Sequence, residues 1–389
     1  MIERIQIGPV YFGISFFLVE GFHHLYSLQT IMKKAPAWVL KTILITLLIL
    51  LTAGGIATYL VVDGLINTRI YQEVDRFSEL FSVPSEPFDL AKAVAEKKAF
   101  TLEYPEDEVF TILWGTDFHL RRGPFSNRNK VYALLERAFA ETDPDLTVIT
   151  GDLLFSFDGV KMLTEFAAFM QKHNRKWAYS FGNHDGQHKH DKLALGAVLS
   201  EFDTALFSNG EMWVLGYSDY PVVLMRDGKP QTAIMLLDSH DSRVYEGSVI
   251  APDYIYPSQI AWYRWVEDGL GDIPLYAFIH IPIPEFRLLW ESGTAIGVKN
   301  DRIVNTPREN SGLFAAMQER GNTVAVFSGH DHLNDFYGTW ESIDLHYGRS
   351  ASYGSYGSAS HAKGIKTITL NLASSSYTVQ TFTVDDWNL

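Results

Sequence analysis

The residues most able to do chemistry stand in five short groups: Asp117-Phe118-His119, Gly151-Asp152, Gly182-Asn183-His184-Asp185, His280, and Gly329-His330-Asp331-His332. Imidazole nitrogens, carboxylate oxygens and one carboxamide suit hard or borderline divalent cations. The chain has no cysteine, which excludes disulfides, zinc–thiolate sites, iron–sulfur clusters and cysteine nucleophiles. A carboxylate such as Asp152 can bridge two ions with its two oxygens. Two ions roughly 3.5–4 Å apart can clamp the attacking and leaving oxygens of an in-line displacement at phosphorus. Glycines beside these groups let the backbone turn sharply, so that adjacent ligands face inward.

Each group ends an apolar run that reads as a strand: VFTILWG, LTVIT, WAYSF, LYAFI and TVAVFS. Among these runs, NRNKVYALLERAFAET, VKMLTEFAAFMQKH, SQIAWYRWVEDGL and NSGLFAAMQERG carry apolar residues at helical spacing. Strands alternating with helices predict βαβ units in a layered α/β domain. Ligands in such sheets gather outside the carboxyl ends of the strands, where all five groups lie. In the middle of the chain, EMWVLGY, PVVLMRDG and QTAIMLLDS read as a strand meander turning at Asp227-Gly228. KTITLNLASSSYTVQTFTV reads as two closing strands, and YGRSASYGSYGSASHAKG as an ordered loop. No internal repeat is visible.

The chain of 389 residues, 47% hydrophobic and 14% aromatic, can support a substantial core. Its formal net charge of −14 argues against a nucleic-acid backbone as partner, which needs a basic footprint. From Thr42 to Val62 runs TILITLLILLTAGGIATYLVV, uncharged and long enough to cross a bilayer as a helix. Lys33, Lys34 and Lys41 precede it and Asp63 follows, which predicts an uncleaved single-pass anchor with the N-terminus cytoplasmic and the remainder outside the cell membrane. The expected organisation is a cytoplasmic segment over 1–41, the anchor over 42–62, a juxtamembrane helix and linker over 63–108, and the α/β domain over 109–389. Residues before Met32 are expected to be an extension or a loosely interfacial segment.

The ordered set DFH, GDLLF, GNHD, the histidine of FIHIP, and GHDH resembles the calcineurin-like metallophosphoesterase superfamily over about residues 109 to 385. HIPIPE, GHDHLNDF and YGRSASYGSYG look like the branch that holds plant purple-acid-phosphatase-like proteins and the yeast dosage-dependent cell-cycle regulator phosphatase. The resemblance implies a four-layer αββα sandwich and a dinuclear site. Asp117, His119, Asp152 and His332 would hold one ion, and Asp152, Asn183, His280 and His330 the other. It implies hydrolysis of phosphomonoesters or phosphodiesters by a metal-bound hydroxide, His184 as general acid and Asp185 orienting that imidazole. One position departs from the pattern. Purple acid phosphatases place an iron-binding tyrosine three residues after the Gly-Asp aspartate, where this chain has Phe155. A colourless enzyme using Mn²⁺, Fe²⁺ or Zn²⁺ is therefore expected. A catalytically weak phospho-ligand binding or signalling protein on the same scaffold is the alternative.

Other polar residues invite a role but read as ordinary surface or scaffold. His188 and His190 read as solvated loop residues, and Asp238, His240 and Asp241 as a strand-end cap. Arg121, Arg122 and Arg349 have guanidinium groups suited to phosphate, yet no pattern singles them out.

Overall fold

The computed structural model describes residues 41–42, 44–55, 82–122, 126–187, 190–245, 249–358 and 360–389. The chain divides into two units, Met1–Val62 and Asp63–Leu389. In the first, residues 44–55 are helical, and Leu44, Ile45 and Leu47 to Leu51 are exposed. No helix among the described residues is long and apolar enough to cross a membrane. The expected anchor falls partly outside the described residues, at 43 and 56–62.

The second unit contains β1 (Phe100–Glu103), β2 (Val109–Gly115), β3 (Leu146–Thr150), β4 (Trp177–Ser180), β5 (Ala205–Leu206), β6 (Tyr220–Arg226), β7 (Lys229–Leu236) and β8 (Ser242–Tyr245). It continues through β9 (Val249–Pro252), β10 (Leu275–Ile279), β11 (Ile296–Lys299), β12 (Thr323–Ser328), β13 (Asn334–Trp340), β14 (Ile343–Tyr347), β15 (Gly364–Asn371) and β16 (Ser376–Thr383). One sheet has eight strands in the order β1-β6-β7-β10-β12-β14-β13-β11, and a second has six in the order β16-β15-β2-β3-β4-β5. β2, β3, β4 and β5 run parallel, as do β7, β10, β12 and β14.

Period-two alternation explains the layering. Tyr276 and Phe278 of β10 and Phe327 of β12 pack with Phe110, Ile112 and Trp114 of β2 in one core between the sheets. The Trp114 ring meets Phe278 and Phe327 edge-on at 6.2 and 5.0 Å. The alternate residues Leu275, Ala277 and Ile279 face a second core with the helices Pro257–Leu270, Pro284–Glu291 and Leu313–Arg320. On the far side of the six-stranded sheet, helices Arg128–Thr142 and Gly159–Lys172 bury Leu134, Leu135, Met162, Phe166 and Met170. This is a mixed α/β sandwich with helix, sheet, sheet and helix in sequence. Central strands such as β3 and β10 are buried along their whole length, as strands covered on both faces must be.

Two local expectations need correction. EMWVLGY forms turns and not a strand, because its backbone joins neither sheet. Residues 90–103, expected in a linker, form a helix (Leu90–Ala95, N-capped by Asp89) and β1, which pairs in parallel with β6. The remainder of the expected juxtamembrane helix, 63–81, lies outside the described residues. The β13–β14 hairpin after GHDH went unread. It turns at Glu341 and Ser342, both with positive φ, where the chain has no Gly, Asn or Asp to signal it.

Candidate metal centre

All five sequence groups meet at one rim, carried by the loops after β2, β3 and β4 of the six-stranded sheet and β10 and β12 of the eight-stranded one. The loops are tightly turned. Asp117, His119, Asp152 and His330 all have positive φ, between 46 and 77°, a conformation that costs non-glycine residues energy and collects at functional sites. Gly151 makes the close approach possible: at φ +71° a Cβ there would lie 2.5 Å from the His280 ring. A Cβ on Gly182 would lie 2.3 Å from the Asp152 amide nitrogen.

Asp117 commits Oδ2 to the Thr116 hydroxyl at 2.8 Å and the His330 N–H at 3.1 Å. Its buried Oδ1 has no hydrogen-bond partner and faces His332 Nε2 at 3.3 Å and His119 Nε2 at 3.8 Å. Asp152 behaves alike. Oδ1 accepts the His184 N–H at 2.8 Å, whereas Oδ2 faces His280 Nε2 at 3.3 Å, His119 Nε2 at 3.4 Å and His184 Nε2 at 4.0 Å. One oxygen of Asp152, Oδ2, thus faces both histidine groups, while Oδ1 is held by the His184 N–H.

The imidazole tautomers follow from partners on the other ring nitrogen. His280 Nδ1 is 2.9 Å from the Thr150 carbonyl, and His332 Nδ1 is 2.9 Å from the Tyr356 carbonyl. A carbonyl accepts, so both Nδ1 atoms carry hydrogen and each Nε2 offers its lone pair inward. For His280 that lone pair meets Asp152 Oδ2 and, at 3.0 Å, Asn183 Oδ1; for His332 it meets Asp117 Oδ1 and, at 3.0 Å, His119 Nε2. Acceptor atoms this close repel one another unless positive charge lies among them. Either the rings take second protons or cations sit between them. The donor set fits cations: Asp117, His119 and His332 form one ligand group, and Asp117, Asp152 and His280 another, with ligand atoms within 4.8 Å of one another in each. His330 keeps its ring centroid 5.2 Å from that of His280 and its Nε2 2.8 Å from the Asn305 side-chain amide; Nδ1 is open to an ion when that amide presents its oxygen to an Nε2–H.

Electrostatics of the protein alone show the same strain. Burial pulls the His280 imidazole down, but the Asp152 carboxylate outweighs it and raises the group to about 10. Burial lowers His119 to about 4, and burial with the neighbouring His280 charge lowers His330 to about 3. Burial pushes Asp152 up, yet the His280 and His184 charges hold it far below the carboxylate range. Metal ligation requires neutral imidazoles and ionised carboxylates, so an ion bound here would take the place of the proton that Asp152 holds on His280.

His184 differs from its neighbours. Its side chain is 29% exposed, where those of His119 and His280 are fully buried. Its Nδ1 is 2.7 Å from Gln187 Oε1. Asp185 was expected to orient that ring, and this is corrected: its carboxylate accepts the N–H groups of Gly182, Asp152 and Leu154 at 2.7 to 2.9 Å. Asp185 ties two metal loops together, because its two oxygens are taken by three backbone amides. Phe155 forms a wall, edge-on to His119 at 5.2 Å and His184 at 5.1 Å, with the Arg121 guanidinium 4.3 Å above its ring.

Of the residues held back, Arg122 pairs with Glu165, Arg349 with Asp335, and His190 lies 3.8 Å from Asp158; His188 lies outside the described residues. Sequence reasoning missed Gln187, Asn305 and Tyr356. Tyr356 stacks on His332 with centroids 4.0 Å apart and accepts its N–H at 2.9 Å. None sits in a spaced motif; Gln187 alone could have been sought, one helical turn past His184.

The chain is similar to several known proteins. The chain is 26% identical over 316 residues to "Probable inactive purple acid phosphatase 14" of Arabidopsis thaliana, covering 71% of this chain and 79% of that one. It is 29% identical over 266 residues to "Probable inactive purple acid phosphatase 29" of the same plant, covering 61% and 67%. A solved dimetal phosphatase from Danio rerio aligns at 12% identity and TM-score 0.44, covering 71% of this chain and 99% of that one. Residues 110–334, more than half of the chain, match the calcineurin-like phosphoesterase family, and the chain belongs to it.

Proposed function

We propose that the protein hydrolyses phosphate monoesters or diesters with two divalent cations. Asp117, His119, Asp152 and His332 would hold one ion and Asp152, Asn183, His280 and His330 the other. The observation carrying this reading is that His280 and His332, each held through Nδ1 by a backbone carbonyl, turn Nε2 inward onto the Asp152 and Asp117 carboxylates. When bound, the cations supply Lewis-acid charge for the phosphoryl oxygens and acidify the attacking water. The chain's own residues do the rest. Asp152 Oδ2, facing both histidine groups, sets the spacing of the ligands. The Thr116 hydroxyl and the His330 N–H fix the Asp117 carboxylate. As the water oxygen bonds to phosphorus and the ester oxygen departs, that oxygen needs a proton. His184 is placed at the solvent side of the cluster to give it, with Gln187 steadying its other nitrogen.

The printed names of the two plant relatives support a second reading, a phospho-ligand binder without turnover. The deciding assay uses the Mn²⁺-loaded protein with p-nitrophenyl phosphate and bis(p-nitrophenyl) phosphate. Chelator-sensitive turnover that His184→Ala lowers by about 100-fold or more supports the hydrolase and identifies the ester class. Two ions bound per chain without turnover of either supports the binder. Phe155 has no oxygen to offer iron, so iron-loaded protein should lack a visible charge-transfer band; a band would overturn this assignment. The uncharged run over 42–62, with its exposed apolar helix, supports a membrane anchor and an extracytoplasmic catalytic domain. Recovery of native protein in the soluble fraction without detergent would count against that.

A further inference from the structure

An open groove of about 490 Å³ lies beside the metal centre, lined by Arg287, Lys299, Arg302 and Arg308 with Glu291 as its one acid. Four positive side chains against one negative give +3 in a protein whose formal net charge is −14. Among the described residues none of the four forms an ion pair with a carboxylate: Lys299 donates to the carbonyls of Asp301 and Arg302, and Arg308 lies 5.4 Å over the Tyr245 ring. Elsewhere this protein pairs its cations, as with Arg264–Glu319, Arg320–Asp268 and Arg349–Asp335.

The groove is joined to the metal centre by one residue. Asn305 lines it, places its side-chain amide 2.8 Å from His330 Nε2, and donates its backbone N–H to Asp331 at 3.0 Å. The floor carries Trp290 and the exposed Ile250 and Ile303. Unpaired guanidinium groups bind phosphate bidentately, and an indole offers its face to the apolar side of a sugar ring.

Building on the hydrolase reading, we infer that the groove is a second anion subsite: the substrate is a sugar or nucleoside ester that carries a further phosphate beyond the one cleaved. The scissile phosphate occupies the metal centre and the distal phosphate meets Arg302 and Arg308.

The test compares glucose 1,6-bisphosphate with glucose 1-phosphate on the full-length Mn²⁺-loaded protein, by phosphate release and by titration calorimetry. The wild type should prefer the bisphosphate at least tenfold in kcat/KM, expressed through KM. The double variant Arg302→Glu/Arg308→Glu should lose that preference, and Arg302→Gln/Arg308→Gln should lose part of it, with melting temperatures unchanged. Equal kcat/KM and equal affinity for the two esters in the wild type, or a preference that survives charge reversal, overturns the subsite. Failure of the hydrolase reading looks different: no phosphate is released from any ester. Calorimetry then still decides, since charge reversal must abolish tighter binding of the bisphosphate for the subsite to stand.

Discussion

Two buried polar clusters sit at strand ends in this molecule and look alike in composition. One is the metal centre. The other gathers Asp219 just before β6 and Asp238, His240 and Asp241 after β7, with Lys192 and Gln259 from two helices. The second cluster contains its own cation. Lys192 Nζ lies 2.9 Å from Asp238 Oδ1 and 2.9 Å from Asp241 Oδ1, and Gln259 Nε2 donates to Asp219 Oδ1 and the Asp238 carbonyl. Burial pulls the Lys192 ammonium down, but Asp238 and Asp241 more than offset it and leave it raised. The metal centre has no such lysine, and its acceptor atoms face one another. The difference teaches that buried acids and histidines do not by themselves mark a cation site; the missing internal counter-charge does. Strained backbone does not separate the two either, since His240 also has positive φ, at 63°.

Exchanging the clusters' defects tests this contrast. The largest effect is expected for Asp152→Ala, which should cut Mn²⁺-dependent turnover at least about 1,000-fold, some 4 kcal/mol. It should also lower bound metal below two ions per chain by elemental analysis, with little change in the melting temperature of chelated protein. Retention of both ions would break the comparison. Lys192→Ala should do the reverse, costing about 3–5 kcal/mol in denaturant unfolding because Asp238 and Asp241 lose their cation, while folded protein still binds two ions. Gln187→Ala touches only the steadying of His184. It should lower kcat about tenfold, roughly 1.4 kcal/mol, and leave KM and metal content alone; a KM effect without a kcat effect would remove Gln187 from that role.

The smallest effect is a pH dependence in the second cluster. Burial, and then the Asp238 charge, raise Asp219 to about 7. The folded state therefore holds a proton there that the unfolded chain has released above about pH 4. The protein binds more protons folded than unfolded in that window, so this group's contribution to stability falls as pH rises from about 4 to 7 and is flat beyond. Asp219→Asn should flatten that slope and raise stability at pH 8, read from unfolding curves at several pH values. No change in slope would assign the pH dependence to other groups.

Much of the site was legible because its signal is local. A strand followed at once by Asp-x-His, Gly-Asp, Gly-Asn-His-Asp or Gly-His-Asp-His carries its own position in the sheet. The same locality made the longer helices readable, such as Gly159–Lys172, whose apolar spacing follows Asp158, the residue that caps it by accepting an N–H in its first turn; the short helix Lys192–Leu199 was not read. Illegible were contacts across long separations. Asn305 on His330, Tyr356 on His332 and Thr150 on His280 are joined only by folding. β1 reads as linker because a short edge strand has no periodic signature of its own.

The sequence by itself determined the residue types at the strand ends, the lack of thiol chemistry, and the α/β alternation, since composition and short-range periodicity need no tertiary contact. Tertiary structure alone decided which oxygen of Asp152 faces the histidines, that Asp185 holds amides and not the His184 ring, and which buried cluster contains its own counter-charge. Each of those outcomes depends on which distant groups compete for one atom within about 3 Å, the range of a hydrogen bond, and that competition is settled only when the loops meet.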